Sequence, residues 1–465
     1  MADGSTIFAL SSGSGKAGLA VIRVSGPEAR AVMSAMLSRE VEDRRAAFRR
    51  ILHPVTRELL DTAVVVFFAG PKSETGEDVV EFQIHGGRAT IRATLEALAT
   101  IPGCRMAEPG EFARRAFLSG QLNLAQVEQL GDLIDAETEA QRRLALTVTP
   151  QLYEDWRGQL IEIAGLVEAA IDFSDEGDVA DRAVEMAREK AKGLRDRIAR
   201  HLDDGHRGEI LRDGFRVALL GAPNAGKSSL LNALARREAA IVSQEAGTTR
   251  DVIEVRLDLG GYPVIVSDTA GIREAEGQVE REGIRRSLAA AREANLTLWL
   301  TETGIDAPPD EISRETTLSV RTKIDLQPFP TPLGETLADG RMQGRVLSAK
   351  NDSPLTPTLS PRGEGDVAIS TKTGEGLEQL IGEIAKRAAS AMTASADPVV
   401  ARARHRGLLE DAFNALTDFL SGDPDAAELR AEDVRRAAHA LGRITGRVDV
   451  EDVLGEIFSR FCIGK

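Results

Sequence analysis

The residues Gly221-Ala222-Pro223-Asn224-Ala225-Gly226-Lys227-Ser228-Ser229 fit G-x-x-x-x-G-K-[ST], a phosphate-cradling loop. Such a loop works only between a buried strand and a helix whose N-terminus faces the ligand. Phe215 to Leu220 reads as the strand and Ser228 to Arg237 as the helix. Glycines let successive N–H groups turn inward onto phosphate, and the helix N-terminus adds partial positive charge. Lys227 is placed to reach the β and γ phosphates, and the Ser228 hydroxyl to bind Mg²⁺. A glycine-rich turn before an ordinary helix would look similar, so the companions of the loop decide.

Four companions follow in order. Gly247-Thr248-Thr249-Arg250-Asp251 supplies a switch whose Thr249 hydroxyl can complete a Mg²⁺ shell. Asp268-Thr269-Ala270-Gly271 follows a strand, which puts a carboxylate near Mg²⁺ and a glycine amide near a γ-phosphate. Thr322-Lys323-Ile324-Asp325 resembles the guanine-reading Asn-Lys-x-Asp. Asp325 would accept from guanine N1–H and N2–H, which adenine cannot match. Ser370-Thr371-Lys372 would set a backbone amide at guanine O6. Ser348-Ala349-Lys350 competes for that role, but the strand-like Asp366 to Ile369 favours the later run. Thr322 replaces an asparagine that would brace the loop, so reduced nucleotide affinity is expected. Ile272 cannot orient water and no arginine finger stands out, so other groups must fill both roles.

The GTPase domain then spans about 214 to 380. Val252 to Leu259 and Pro263 to Ser267 flank Gly260-Gly261 as a hairpin, and Leu296 to Thr301, Thr317 to Thr322 and Val367 to Ser370 read as further strands. This alternation predicts a mostly parallel sheet with ligands at the strand C-terminal ends. Residues 351 to 365, rich in proline and without hydrophobic period, read as a disordered insertion.

A chain of 465 residues has room for about three domains of ~150 residues. Residues 1 to 121 read as mixed α/β, with strands at Thr6 to Leu10, Leu19 to Val24 and Ala63 to Phe68 and a helix at Arg88 to Ala99. Gly13, Gly15 and Gly18 around Lys16 lack the closing G-K-[ST] and read as a flexible turn. Gly76 to Gly87 reads as a half-buried strand running into a turn. Residues 122 to 213 and 381 to 465 are helical. Leu122, Leu124, Val127, Leu130, Leu133 and Ile134 form one packing stripe, and Leu160, Ile163, Leu166, Val167, Ala170 and Ile171 another. The charged run Asp181 to Asp204 reads as a solvated helix face. These flanking parts are expected to form one discontinuous helical domain around an inserted Ras-like P-loop GTPase domain.

Net charge is −15, which leaves no global basic field for nucleic acid, so RNA contact would need a local patch. No run approaches the ~18 apolar residues of a membrane span, and Met1 to Leu10 lacks the features of a signal peptide. Two cysteines, Cys104 and Cys462, form no disulfide framework or zinc pattern. A cytoplasmic protein is expected.

Further short runs carry a family resemblance: Arg23-Val24-Ser25-Gly26, Thr75-Gly76-Glu77-Asp78, His85-Gly86-Gly87, Pro109-Gly110-Glu111-Phe112 and the final Phe461-Cys462-Ile463-Gly464-Lys465. With the GTPase motifs, they make the chain, the insertion excepted, resemble the MnmE (TrmE) family of bacterial tRNA modification GTPases, in the TrmE-Era-EngA-like group. The resemblance implies a homodimer that hydrolyses GTP with K⁺ and Mg²⁺. Asn224 would be the side-chain K⁺ ligand, and the segment Ser243, Gln244, Glu245, Ala246, Gly247 and Thr248 would close over the ion, with Ser243, Glu245 and Thr248 as ligands. Glu280 would organise the attacking water. The N-terminal domain would bind a reduced folate (5-formyl- or methylene-tetrahydrofolate) through Arg23, Glu81 and Lys465, with Gln121 where the family usually has lysine. Cys462 would take part in the modification. With the FAD-carrying partner MnmG, the family adds an aminomethyl-type group to C5 of the wobble uridine, its nitrogen coming from glycine or ammonia. Two other readings are a ribosome-assembly switch of the Era or EngA kind and a folate aminomethyltransferase. The first leaves the N-terminal domain unexplained, and the second the GTPase domain.

Overall fold

The computed structural model describes residues 4–13, 15–147, 150–173, 177–237, 239–241, 253–268, 289–302, 308–309, 311–326, 367–393, 400–423, 426–448, 451–459, 461 and 463–464. The contacts divide the chain into two units. One comprises Met1–Asp135, Ala145–Gly205 and Pro398–Lys465, and the other Ala136–Leu144 and His206–Asp397.

The first unit opens with a six-stranded sheet of β1 (Thr6–Leu10), β2 (Leu19–Ser25), β3 (Ala47–Leu52), β4 (Leu59–Phe68), β5 (Val79–His85) and β6 (Cys104–Met106). Its order is β3-β4-β5-β2-β1-β6, with β1 and β6 parallel and the other pairs antiparallel. Alternation along β4 and β5 sends Val65, Phe67, Phe82 and Ile84 inward. There they meet Val32, Met33 and Met36 of the helix Ala29–Met36 and Leu98 of the helix Arg88–Ala99. The β3 strand, the short β6 and the helix Ala29–Met36 had no clear signal in sequence. The β3 strand (Ala-Phe-Arg-Arg-Ile-Leu) lies at a sheet edge and buries only Ile51. Residues 11–13 and 15–18, around Lys16, hold neither helix nor strand.

The rest of this unit is helical. The helices Pro150–Asp172, Gly177–Leu202, Ala403–Ser421 and Ala427–Thr445 share one apolar core. Leu160, Ile163 and Val167 bury the second predicted stripe, and Leu194 and Ile198 the apolar side of the charged run. Each such Leu or Ile contributes roughly 1.5–3 kcal/mol. The first stripe is shorter than expected. On the helix Leu124–Asp135, Leu124 and Val127 are buried, whereas Leu133 and Ile134 are each 37% exposed and the carboxylate Glu128 turns inward. The last helix, Glu451–Ser459, sets Phe458 against Ala113 and Val127. Ile463 then forms an antiparallel bridge with Pro109.

The second unit holds β7 (Phe215–Gly221), β8 (Ile253–Leu259), β9 (Tyr262–Asp268), β10 (Leu296–Thr301), β11 (Thr317–Arg321) and β12 (Val367–Ala368). Their order is β12-β11-β10-β7-β9-β8, parallel except for β8 against β9. β7 buries Val217 to Leu220 without a break and β10 buries every residue but Trp299, as suits strands covered on both faces. Residues 136–144 fall in this unit, whereas the sequence reading put them in the helical part. They are held by Ala140 N–H donating to Gly261 O at 3.1 Å, Gln141 Nε2 donating to Arg212 O at 3.0 Å and an Arg256–Glu137 ion pair at 3.2 Å. The insertion 351–365 and the alternative run at 348–350 lie outside the described residues. Among the described residues, no helix is long and apolar enough to cross a membrane.

Candidate functional site

The phosphate loop leaves the C-terminal end of β7 and enters the helix Lys227–Ala235. Gly221 holds φ at +146°, and a Cβ there would stand 2.3 Å from Leu300 O on the neighbouring strand. Only glycine fits that approach. Gly226 caps the helix at φ +94°, and Asn224 takes a left-handed φ of +65° with its side chain exposed. Ala225 is buried beneath the loop and Ser229 is exposed. Lys227 Nζ donates to Gly221 O at 2.8 Å and Ala222 O at 2.9 Å, so the ammonium lies over the loop it would share with phosphate.

Ser228 Oγ donates to Asp268 Oδ2 at 2.8 Å. Asp268 ends β9 and is almost wholly buried, so its carboxylate is held by the sheet. The pair offers hard oxygen donors at the helix entry, a donor set that suits Mg²⁺.

The loop expected to read the base is tied directly to the phosphate loop. Thr322 is 2% exposed, and its hydroxyl donates to Ala225 O at 2.8 Å, with Thr301 O at 3.4 Å. In place of the asparagine's amide brace, the hydroxyl supplies one, because Thr322 lies against the loop backbone. Lys323 adopts φ +55° and pairs with Glu302. Asp325 is exposed in the 3₁₀ turn Ile324–Leu326. Ser370, fully buried, donates from Oγ to Asp325 Oδ1 at 2.7 Å and accepts from the Lys372 and Thr373 N–H groups at 3.3 and 3.1 Å. One serine thus aims the carboxylate expected to read the base and shapes the turn carrying Thr371 and Lys372. The Thr322–Ala225 and Ser370–Asp325 bonds join residues far apart in sequence, and no local pattern signals them.

Ser243, Gln244, Glu245, Ala246, Gly247, Thr248, Thr249, Thr269, Ala270, Gly271 and Glu280 lie outside the described residues, as do Cys462 and Lys465. Among the described residues, no three His, Cys, Asp or Glu side chains gather as a metal site.

The N-terminal sheet carries the second predicted group. Arg23 of β2 faces Glu81 of β5 in register, with Nε donating to Glu81 Oε1 at 3.0 Å. Arg23 also pairs with Glu74 at 2.6 Å, a residue the sequence reading did not single out. Gln121 Nε2 donates to Pro71 O at 3.2 Å, on the loop that carries Glu74. A buried network anchors this loop. Ser25 Oγ meets Thr75 Oγ1 and Glu77 Oε2, each at 2.7 Å, and Arg115 Nη1 reaches Glu77 at 3.1 Å. Arg115 also bonds Glu111 at 3.0 Å, and Arg105 bonds Glu111 at 2.6 Å. Burial pushes the Glu111 carboxyl up, but bonds from Arg105, the Glu108 N–H and Arg115 outweigh it and hold the group below the usual range. The Thr-Gly-Glu-Asp and Pro-Gly-Glu-Phe runs therefore meet in one polar cluster. Burial pushes the Cys104 thiol up to about 11, with the Glu28 charge adding to the effect.

Residues 6–121 match the family model for the GTP-binding protein TrmE N-terminus, and residues 124–462 that for the MnmE helical domain. A tRNA modification GTPase MnmE from Parvibaculum lavamentivorans is 49% identical over 99% of this chain and 100% of its own length. Its counterpart from Rhodopseudomonas palustris is 49% identical over 99% of both chains. The solved G domain of the FeoB iron transporter from T. maritima is 21% identical over 37% of this chain and 98% of its own, with a TM-score of 0.23.

Proposed function

This chain belongs to the MnmE family of tRNA modification GTPases, and on that premise we propose that it hydrolyses GTP to drive a modification of tRNA. One observation carries the GTPase part. Lys227, the Ser228–Asp268 pair, the Thr322–Ala225 brace and the Ser370–Asp325 pair all lie at or just beyond strand C-terminal ends of one parallel sheet, where such sheets bind nucleotides. Asp325 accepts from the guanine edge, with the turn at Ser370, Thr371 and Lys372 offering an N–H to O6. Lys227 exchanges its own loop carbonyls for the β and γ phosphates. Mg²⁺ would be held by Ser228 and Thr249 with Asp268 nearby, and when bound it neutralises charge on the phosphate oxygens. K⁺ would be held by Asn224, Ser243, Glu245 and Thr248, and would supply positive charge where other GTPases use an arginine finger. Glu280 orients the attacking water.

The modification is proposed to be addition of a (carboxymethyl)aminomethyl group to C5 of the wobble uridine by a homodimer acting with the flavoprotein MnmG in the cytoplasm. Residues 1–121 would bind the reduced folate that supplies the one-carbon unit. Arg23, Glu81, Gln121 and Lys465 are its contacts, and Cys462 acts at the modification centre. The helical segments 122–213 and 381–465 would carry the 214–380 GTPase domain.

GTP hydrolysis in K⁺ against Na⁺ at matched ionic strength tests the mechanism, with Asn224→Gly beside the wild type. Glycine is chosen because φ +65° would strain alanine. Stimulation by K⁺ alone, lost in the variant, is expected. Equal rates in both salts would remove the ion from the mechanism and leave the GTPase assignment standing.

A further inference from the structure

The chain passes between its two units four times, at 135/136, 144/145, 205/206 and 397/398. Within the helical unit, polar side chains tie the segment at each passage to its neighbours. Ahead of the first passage, Glu128 and Asp132 bond to the segment that follows the last. Arg402 Nη2 donates to Asp132 Oδ1 at 2.6 Å, and His405 Nε2 lies 2.8 Å from Glu128 Oε2. Just after the second passage, Ala145 O accepts from Gln129 Nε2 at 2.6 Å, on the same helix as Glu128. Just before the third, Asp204 accepts from the Val400 N–H at 3.0 Å and from Arg406 Nη2 at 2.5 Å. Glu128, Asp204, His405 and Arg406 are all buried.

Such a network is a poor device for stability alone, since well-packed apolar side chains of similar size often do as well or better. A network of this kind can impose one arrangement on the segments it joins. The segments joined here are those at which the chain enters and leaves the helical unit.

We propose that this buried network couples nucleotide turnover to tRNA chemistry by making the four passages move as one. A nucleotide-dependent shift of any one passage then reaches the helices Leu124–Asp135 and Ala403–Ser421 together. The proposal rests on the tRNA modification reading above, but one of its tests does not.

The test uses the full chain carrying Asp204→Asn with Arg406→Met, a combination that leaves no lone buried charge. Three quantities are measured: GTP hydrolysis, tRNA modification with the partner flavoprotein, and hydrogen exchange over residues 400–406 with and without a non-hydrolysable GTP analogue. Hydrolysis is expected to stay within about twofold of wild type while modification falls about tenfold or more, the range of an ordinary coupling energy. In the wild type, exchange over 400–406 should respond to nucleotide, and in the variant it should not. Unchanged modification in a folded variant would overturn the proposal, and so would a wild-type segment whose exchange ignores nucleotide. A wild type that hydrolyses GTP but modifies no tRNA would sink the functional reading instead, and the exchange result would still judge the coupling. If the double variant does not fold, Gln129→Ala, which cuts one tie at a half-buried position, replaces it under the same criteria.

Discussion

The bond between Thr322 and Ala225 decides how a threonine can stand at the head of the loop proposed to read the base. Thr322→Val keeps the shape and removes the hydroxyl. Because the side chain is 2% exposed, no water can take its place on Ala225 O. Losing one buried bond with its acceptor left behind costs about 1–2 kcal/mol. Felt at the nucleotide, that is roughly a 5–30-fold weaker complex. Titration with a fluorescent GDP analogue reads it directly, and Thr322→Ser, which keeps the hydroxyl, should stay close to wild type. The expected pattern is loss of guanine nucleotide affinity with no gain for a xanthine or adenine nucleotide, since Asp325 itself is untouched. A valine variant that binds GDP within about twofold of wild type would show that the brace does not act at the nucleotide.

Two further outcomes follow from closely packed groups. Gly376 sits at φ +73° with an added Cβ only 1.9 Å from Ala368 O, and it follows directly on the turn that holds Ser370. Gly376→Ala should cost a few kcal/mol and lower the thermal midpoint of the GTPase unit by at least ~5 °C; an unchanged midpoint would contradict the collision. Burial holds the His405 imidazole below its ordinary pKa despite its bond to Glu128, with Arg404 and Arg402 adding to the effect. Glu128 is itself held well below the usual carboxylate range; burial opposes this, but its bonds and charge contacts with His405, Arg402 and Arg404 win. Both folded pKa values are depressed, so both contributions to stability are complete above the unfolded values and disappear as pH falls. His405 acts from ~6.5 downward and Glu128 from ~4.3 downward. Urea midpoints between pH 5 and 7 should therefore fall with acidity in the wild type and flatten in His405→Gln. An equal slope in both would refute the assignment.

What could be read beforehand depended on whether the signal was local. A central parallel strand is apolar on both faces for most of its length, so β10 was legible over Leu296–Thr301, and the phosphate loop announces itself through its glycines. The edge strand β3 was not legible, because a half-solvated edge needs little hydrophobic pattern. Residues 136–144 looked like part of a helical run because their partners, Arg212, Arg256 and Gly261, are 71 or more positions away in sequence. Glu74, and the brace that Thr322 supplies, were missed in the same way. Each acts through a partner that only the folded chain supplies, Arg23 in one case and the Ala225 carbonyl in the other.

The meeting of Gly464 with β1 has a consequence for how the protein is made. Ser11 Oγ donates to Gly464 O at 2.9 Å across 453 positions of sequence, and a Cβ on Gly464 would stand 2.1 Å from Leu10 O. At roughly 5–20 residues per second, the ribosome delivers that glycine some 20–90 s after β1. The N-terminal sheet must therefore wait for this last contact while the GTPase unit is synthesised. A nascent chain stalled anywhere in the last helix would carry a finished nucleotide domain and an unfinished first one.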